Sequence, residues 1–298
     1  MKKKLLFVID SLQVGGAEKS LLSVLSLIDK SRYAVDVLMN ARGGAFEQFL
    51  PPEVHILELL PFMKFMPLPA VRQLFTFDFR KILARARLYK NSRNNPANTH
   101  GAQVFWRSCA QAIEPLPQAY DIAIAYHQGL PTYFVAEKVR AGSKIAWVNT
   151  DYQKAGYNPA FDADKYAKFN RIVFVSGHAR ASFAAAFPSL HGEYMLIHDI
   201  LDSGLILNMS KADGVDFAMG NKLRIVTVGR LVKPKGYDIA LDAANLLAQN
   251  GMDFEWFFVG EGDERGNIET YIASNKLQDF VKLTGSLPNP YPLLHSAD

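Results

Sequence analysis

The chain has 298 residues, 49% of them hydrophobic and 21% charged, with a formal net charge of +4, which is the profile of a soluble globular protein of about two domains. Its single cysteine, Cys109, excludes an internal disulfide framework and fits a reducing compartment. No run of about 18 apolar residues predicts a transmembrane helix, and "LLFVID" after "MKKK" is too short for the apolar part of a secretory signal.

From the N-terminus, "KLLFVID" reads as a buried first strand and "EKSLLSVLSLID" as a helix with apolar residues at helical spacing. "YAVDVLM" and "EVHILEL" predict the next strands, and "YDIAIAYH", "KIAWVN", "RIVFVS" and "EYMLIH" follow at intervals that leave room for helices. This alternation predicts a mostly parallel sheet covered on both faces. Residues 203–221 break the rhythm and read as a linker between an N-terminal domain, 1–202, and a C-terminal one, 222–298. In the second, "LRIVTVG", "EWFFVG" and "VKLTG" are strands. "DIALDAANLLAQNG" and "NIETYIASN" are helices, the first with a core-facing stripe of Leu241, Ala244 and Ala248. The fold class expected is α/β, with two Rossmann-like domains facing across a cleft and ligands at the carboxyl ends of the strands. The second domain reads as incomplete, since a strand is expected after "LLHSAD".

Charge is unevenly spread. Residues 61–110 carry nine cations against one acid, Asp78, interleaved with Phe62, Phe65, Met66, Leu68, Phe75, Phe77 and Phe79. A basic–aromatic segment suits an anionic membrane surface. A helical insertion with a solvated basic face is the other reading; a nucleic-acid surface is a third, which no binding motif supports.

Three loops invite a ligand. "FVIDSLQVGGAEKSL" puts Gly15 and Gly16 at a helix start, where free N–H groups attract anions and glycine allows close approach; a turn that merely packs is the alternative. Glu18 falls in that helix's first turn, where the dipole favours a carboxylate. "VGRLVKPKG" places Arg230 and Lys235 between a strand and a helix, where they hold a charged ligand or are a pair of solvated loop cations, and "VGEGDERG" offers Gly260 and Gly262 after the next strand. Neither a dinucleotide fingerprint nor a P-loop occurs.

Taken together, "VGRLVKPKGYDIALDAANLL", "FVGEGDERGNIETYI", "VKLTGSLPNPYPLLHSAD" and "GGAEKSL" resemble the retaining GT-B glycosyltransferases of the GT4 type. The resemblance is strongest over 224–298, good at 4–22 and loose over 60–115. It implies a nucleotide-sugar donor held mainly by the C-terminal domain and a glycan or lipid-linked acceptor held mainly by the N-terminal one. It implies transfer with retention and no metal or other cofactor. Arg230 and Lys235 would then hold the donor diphosphate, with Gly15 and Gly16 beside it and Gly260, Gly262, Ser286 and Leu287 on the nucleotide side. Arginine offers a bidentate fork and lysine a mobile point charge to a departing diphosphate. His127, which ends "YDIAIAYH", matches a family histidine near the reacting sugar; a structural histidine at a strand end is the alternative. Glu18, Asn149 and Asp151 are the acceptor-side candidates, with Asn149 standing where the family often has histidine. His178 and His198 read as structural.

Glu261 and Glu269 have the spacing of the family's E-x7-E pair, but that pair follows the segment matching "LLHSAD", so the role is not carried over. The resemblance places the true pair beyond Asp298 and leads to an expectation of a truncated chain and weak donor binding. A noncatalytic fragment or binding module and a nucleotide-sugar 2-epimerase are the alternative functions. The expected setting is cell-surface polysaccharide synthesis, cytoplasmic and peripheral on the inner face of the membrane, without nucleic acid.

Overall fold

The computed structural model describes residues 2–74, 76–94, 99–212 and 222–298. The chain divides into two compact units, Met1–Leu201 and Asp202–Asp298. Unit 1 runs β1 (Lys3–Ile9), α1 (Gly16–Leu27), β2 (Tyr33–Met39), β3 (His55–Ile56), α2 (Pro61–Phe65), α3 (Ala70–Leu74), α4 (Phe79–Arg93), α5 (Gly101–Cys109), β4 (Ala119–Ala125), α6 (Leu130–Lys138), β5 (Arg140–Val148), α7 (Pro159–Tyr166), β6 (Arg171–Phe174), α8 (Gly177–Ala186) and β7 (Glu193–Leu196). Its seven strands pair in the order β3-β2-β1-β4-β5-β6-β7, all parallel.

Parallel neighbours need crossover connections, and helices supply them. The inner strands are therefore buried on both faces, which is why Leu5 to Ile9 are continuously apolar. Strand order reverses between β1 and β4: the chain runs outward from β1 to β3, then returns to the other side of β1. The crevice outside the carboxyl ends of such strands is where ligands bind in open α/β sheets. The stretch "EVHILEL" contributes only the two-residue edge strand β3, with Leu57 N still donating to Val37 O at 2.9 Å. Cys109 is buried, and its loss of hydration pushes the thiol up to about 12; it is a core residue.

Unit 2 contains α9 (Ser203–Ser210), β8 (Leu223–Val228), α10 (Tyr237–Gln249), β9 (Phe254–Val259), α11 (Arg265–Ser274), β10 (Val281–Gly285) and α12 (Tyr291–His295). The described strands form a parallel sheet in the order β10-β9-β8. Leu241 and Ala244 of α10 are buried and Ala248 packs beside them. The first part of the stretch read as a linker is helical: α9 is capped by Asp202, whose side chain accepts from Leu205 N at 3.1 Å, and Asn289 Nδ2 donates to Met209 O at 2.7 Å. A capping acid and docking on the α12 end outweigh a sequence without a strong apolar stripe. Residues 213–221 of that stretch, and Phe75, lie outside the described residues. Asp298 N reaches Arg224 O at 3.2 Å, alongside β8. Among the described residues, no helix is long and apolar enough to cross a membrane.

Candidate functional site

Each unit carries a group of candidate residues at the carboxyl ends of its strands. In unit 1 the register sets them. Leu5 pairs with Ile122 and Val8 with Ala125, so two residues further on Asp10 and His127 leave the sheet side by side. His127 Nδ1 is 3.5 Å from Asp10 Oδ2 and 3.0 Å from Gln128 O. The other Asp10 oxygen accepts from Asn40 Nδ2, at the end of β2, at 2.8 Å. The protein packed around Asp10 disfavours its charge and raises its pKa above the ordinary value, although the ring of His127, the Asn40 amide and the ring of His100 oppose the rise.

His100 is the N-cap of α5, and its Nδ1 accepts from Ala102 N at 3.2 Å, which leaves the neutral ring's proton on Nε2. It stacks on Tyr157 at 4.0 Å, and burial lowers its pKa, with the nearby His127 adding to the effect. Asn149, at the end of β5, donates from Nδ2 to Tyr126 O at 2.8 Å, while its Oδ1 is buried without a partner among the described residues. Tyr126 bonds Ser20 of α1 at 2.9 Å and stacks on Trp147 at 4.8 Å. His127, Asn149 and the start of α1 are thus tied to one sheet edge.

At that helix start, a Cβ built on Gly15 would run into the Glu18 carboxylate, whereas one on Gly16 meets nothing within 4 Å. Glu18 therefore folds back over Gly15, and Gly16 is open to solvent. Asp151, two residues past Asn149, is a local anchor. It accepts from Gln153 N at 3.1 Å, Lys154 N at 3.2 Å, the Ser182 hydroxyl and His178 Nε2 at 2.9 Å. These bonds, Ser182 and Lys154 foremost, hold its carboxyl down at about 2. His198 Nδ1 lies 3.0 Å from Val175 O.

In unit 2, Arg230 lies two residues past the end of β8 and Lys235 closes a 3-10 turn, Lys233–Lys235, ahead of Gly236, which takes φ +69° and opens α10. Arg230, Lys233 and Lys235 are all exposed, and none has a carboxylate partner among the described residues. With the positive end of α10 beside them they make an anion-attracting loop. Lys233 is the member that sequence analysis did not single out, although it stands in the same "KPKG".

The glycines explain why this loop keeps its shape. A Cβ on Gly260, which takes φ +152°, would collide with the Gly229 carbonyl; one on Gly262 would collide with the Leu231 carbonyl. Gly229 N donates to Val259 O, Leu231 N to Glu261 O and Glu264 N to Leu231 O, each at 2.9 Å. The loop after β9 is laced to the Arg230 loop backbone to backbone, and buried Leu231 anchors the join. Glu261 and Glu269 both bind Arg265, which accounts for that pair locally. Ser286 is exposed just past β10, and Leu287 packs against Phe257, Val259 and Leu293.

Residues 215–298 match the family model of glycosyl transferases group 1. Over 71 residues the chain is 41% identical to the amylovoran biosynthesis glycosyltransferase AmsK of Erwinia amylovora, covering 24% of this chain and 17% of the relative. Over 72 residues it is 31% identical to the putative colanic acid biosynthesis glycosyltransferase WcaL of Escherichia coli K12, covering 24% and 18%. The matched stretch is thus less than a fifth of the length of these curated relatives. Among solved structures, TarM of S. aureus superimposes with a TM-score of 0.58 at 12% identity, over 99% of this chain and 80% of TarM. HepE of Anabaena, in complex with UDP and glucose, gives 0.56 at 17% identity, over 99% and 72%. The fold is of the GT-B type, and residues 215–298 are similar in sequence to glycosyltransferases.

Proposed function

We propose that this chain belongs to a retaining glycosyltransferase that moves a sugar from a nucleotide-diphosphate sugar to a glycan or lipid-linked acceptor in cell-surface polysaccharide synthesis. It works in the cytoplasm, peripherally at the inner face of the membrane. The observation that carries the proposal is the Arg230 loop: exposed cations without carboxylate partners among the described residues, on a backbone locked by Gly260 and Gly262, inside the segment that matches the family model.

A leaving nucleotide diphosphate gains charge as the glycosidic bond breaks. Cations fixed beforehand at that position stabilise the transition state without rearranging. Arg230 would grip two phosphate oxygens and Lys235 a third. Gly260, Gly262, Ser286 and Leu287 would border the nucleotide. In unit 1, His127 would hydrogen-bond the reacting sugar or the acceptor, with Glu18 and Asn149 at the same sheet edge. Asp151 is proposed only as a support for that edge, because its oxygens are already engaged.

Calorimetric titration with UDP, GDP and ADP, repeated on Arg230→Ala, tests the donor site. UDP has priority because HepE was solved with it. Binding that disappears in the variant is the expected result. Equal binding by the variant would refute the assignment of the loop. Release of nucleotide diphosphate together with a glycosylated acceptor separates transfer from 2-epimerisation, and lack of either would favour a noncatalytic binding module.

A further inference from the structure

Among the described residues of the helical segment between β3 and β4, large apolar side chains include a buried set and an exposed one. Phe62 and Phe65 of α2 and Trp106 of α5 are buried in the core. The second set faces water: Phe77 is 73% exposed, Phe79 75%, Leu83 51% and Tyr89 62%. Isolated exposed apolar side chains are ordinary, but a contiguous set marks a surface that meets a partner.

On α4, Phe79 and Leu83 stand one turn apart on one exposed face. At about 100° per residue, Phe79, Leu83, Ala86, Lys90 and Arg93 fall within about 80° of one another. Ala84 and Leu88 point the other way, into the core. The helix holds six cations and no acid. Lys81 pairs with Asp78 and Glu114, Arg80 donates to Gln111 O, and Arg85 to Met66 O and Leu68 O. Arg87 and Lys90 have no such partner among the described residues, and Arg93 lies over the Tyr89 ring at 4.8 Å. The face is therefore apolar at its N-terminal end and basic at its C-terminal end. Just ahead of it, Phe77 takes φ +51°, a backbone state that bulky residues rarely adopt, while its ring stays in water.

Solvation accounts for the cations but leaves the rings unexplained. Burial against another protein core accounts for the rings but leaves the cations without counter-charge. An anionic bilayer surface satisfies both, with rings at the acyl boundary and cations among the headgroups. We infer that the outer face of α4, with Phe77, docks on an anionic lipid surface, Phe77, Phe79 and Leu83 entering the interface while Arg87, Lys90 and Arg93 meet lipid phosphates. The inference rests on the peripheral location proposed above and names the surface responsible for it.

The test is flotation of the full chain with vesicles of equal parts phosphatidylglycerol and phosphatidylcholine, against phosphatidylcholine alone, at low and high salt. Binding to the anionic vesicles at low salt, released by high salt, is expected. Arg87→Glu/Lys90→Glu is expected to lower partitioning about tenfold or more. Phe77→Ser/Phe79→Ser is expected to lower it about tenfold with an unchanged melting temperature, since both rings lie outside the core. Lack of binding to anionic vesicles at low salt, equal binding to phosphatidylcholine, or wild-type binding by both variants would overturn the inference. So would tighter binding to RNA or DNA that the charge-reversal variant abolishes. Nucleotide titration of the same variants, unaffected if only the lipid surface is altered, keeps this result separate from the glycosyltransferase proposal.

Discussion

Asp10 and His127 lie just past the ends of two paired strands at the same level, with 3.5 Å between carboxylate oxygen and imidazole nitrogen. Nothing within either local motif announces this pair, since 117 positions separate its members; the parallel register of β1 and β4 creates it. The carboxyl raised by its surroundings beside an imidazole is a proton-handling arrangement of the kind found at reacting centres.

If the pair serves transfer, the rate should follow the ionisation of Asp10. With a raised pKa, Asp10 gains its charge only above the ordinary carboxylate range, so kcat/KM should rise with pH across that titration. Asp10→Asn is expected to erase this limb and slow transfer, and His127→Ala to cost about 10²–10⁴ in rate. A pH–rate profile of Asp10→Asn that retains the wild-type limb would show that another group titrates.

The diphosphate assignment predicts a chemical distinction between cations. Arg230→Ala is expected to lower the transfer rate by about 10²–10³. Arg230→Lys is expected to restore only part of it, because a point charge does not replace a bidentate fork. Steady-state kinetics with saturating acceptor would check both, and full rescue by lysine would argue against a bidentate contact.

The glycines should separate into two classes. Gly260→Ala forces a Cβ into the Gly229 carbonyl and is expected to destabilise by about 1–3 kcal/mol and weaken donor binding with every charge intact. Gly16→Ala has open space and helical position in its favour, so stability should hold or rise by up to about 1 kcal/mol. A loss of activity in Gly16→Ala without loss of melting temperature would indicate close approach of a ligand there.

Asp151 makes a prediction about acid stability. Its carboxyl is held at about 2, below the unfolded value of about 3.9, so the native state binds fewer protons in that interval. Its contribution is present in full above the unfolded value and is lost as pH falls through about 2. Asp151→Asn should flatten the decline in melting temperature between those limits. An equally steep decline in the variant would assign acid sensitivity to other groups.

Much of this architecture was legible along the chain. Buried parallel strands are continuous apolar runs, and their regular spacing leaves room for helices, so both sheets follow from periodicity. The loop that carries Arg230 and Lys235 was legible as a loop because strand, turn and helix are contiguous in sequence. The short β3 and the capped helix α9 departed from the pattern because an edge strand needs few partners and a helix can be held by a cap and by docking.

What the sequence by itself determined is therefore local: which stretches are strands, where the loops fall and which carry charge. Tertiary structure alone decided the rest. It placed Asp10 beside His127 through strand register and bound Asp151 to Ser182 and His178. It gave Gly260 and Gly262 their packing role through a neighbouring backbone, and sent Phe62 into the core while leaving Phe79 in water. The physical reason is that burial and pairing depend on neighbours distant in the chain, whereas composition and periodicity report only on neighbours nearby.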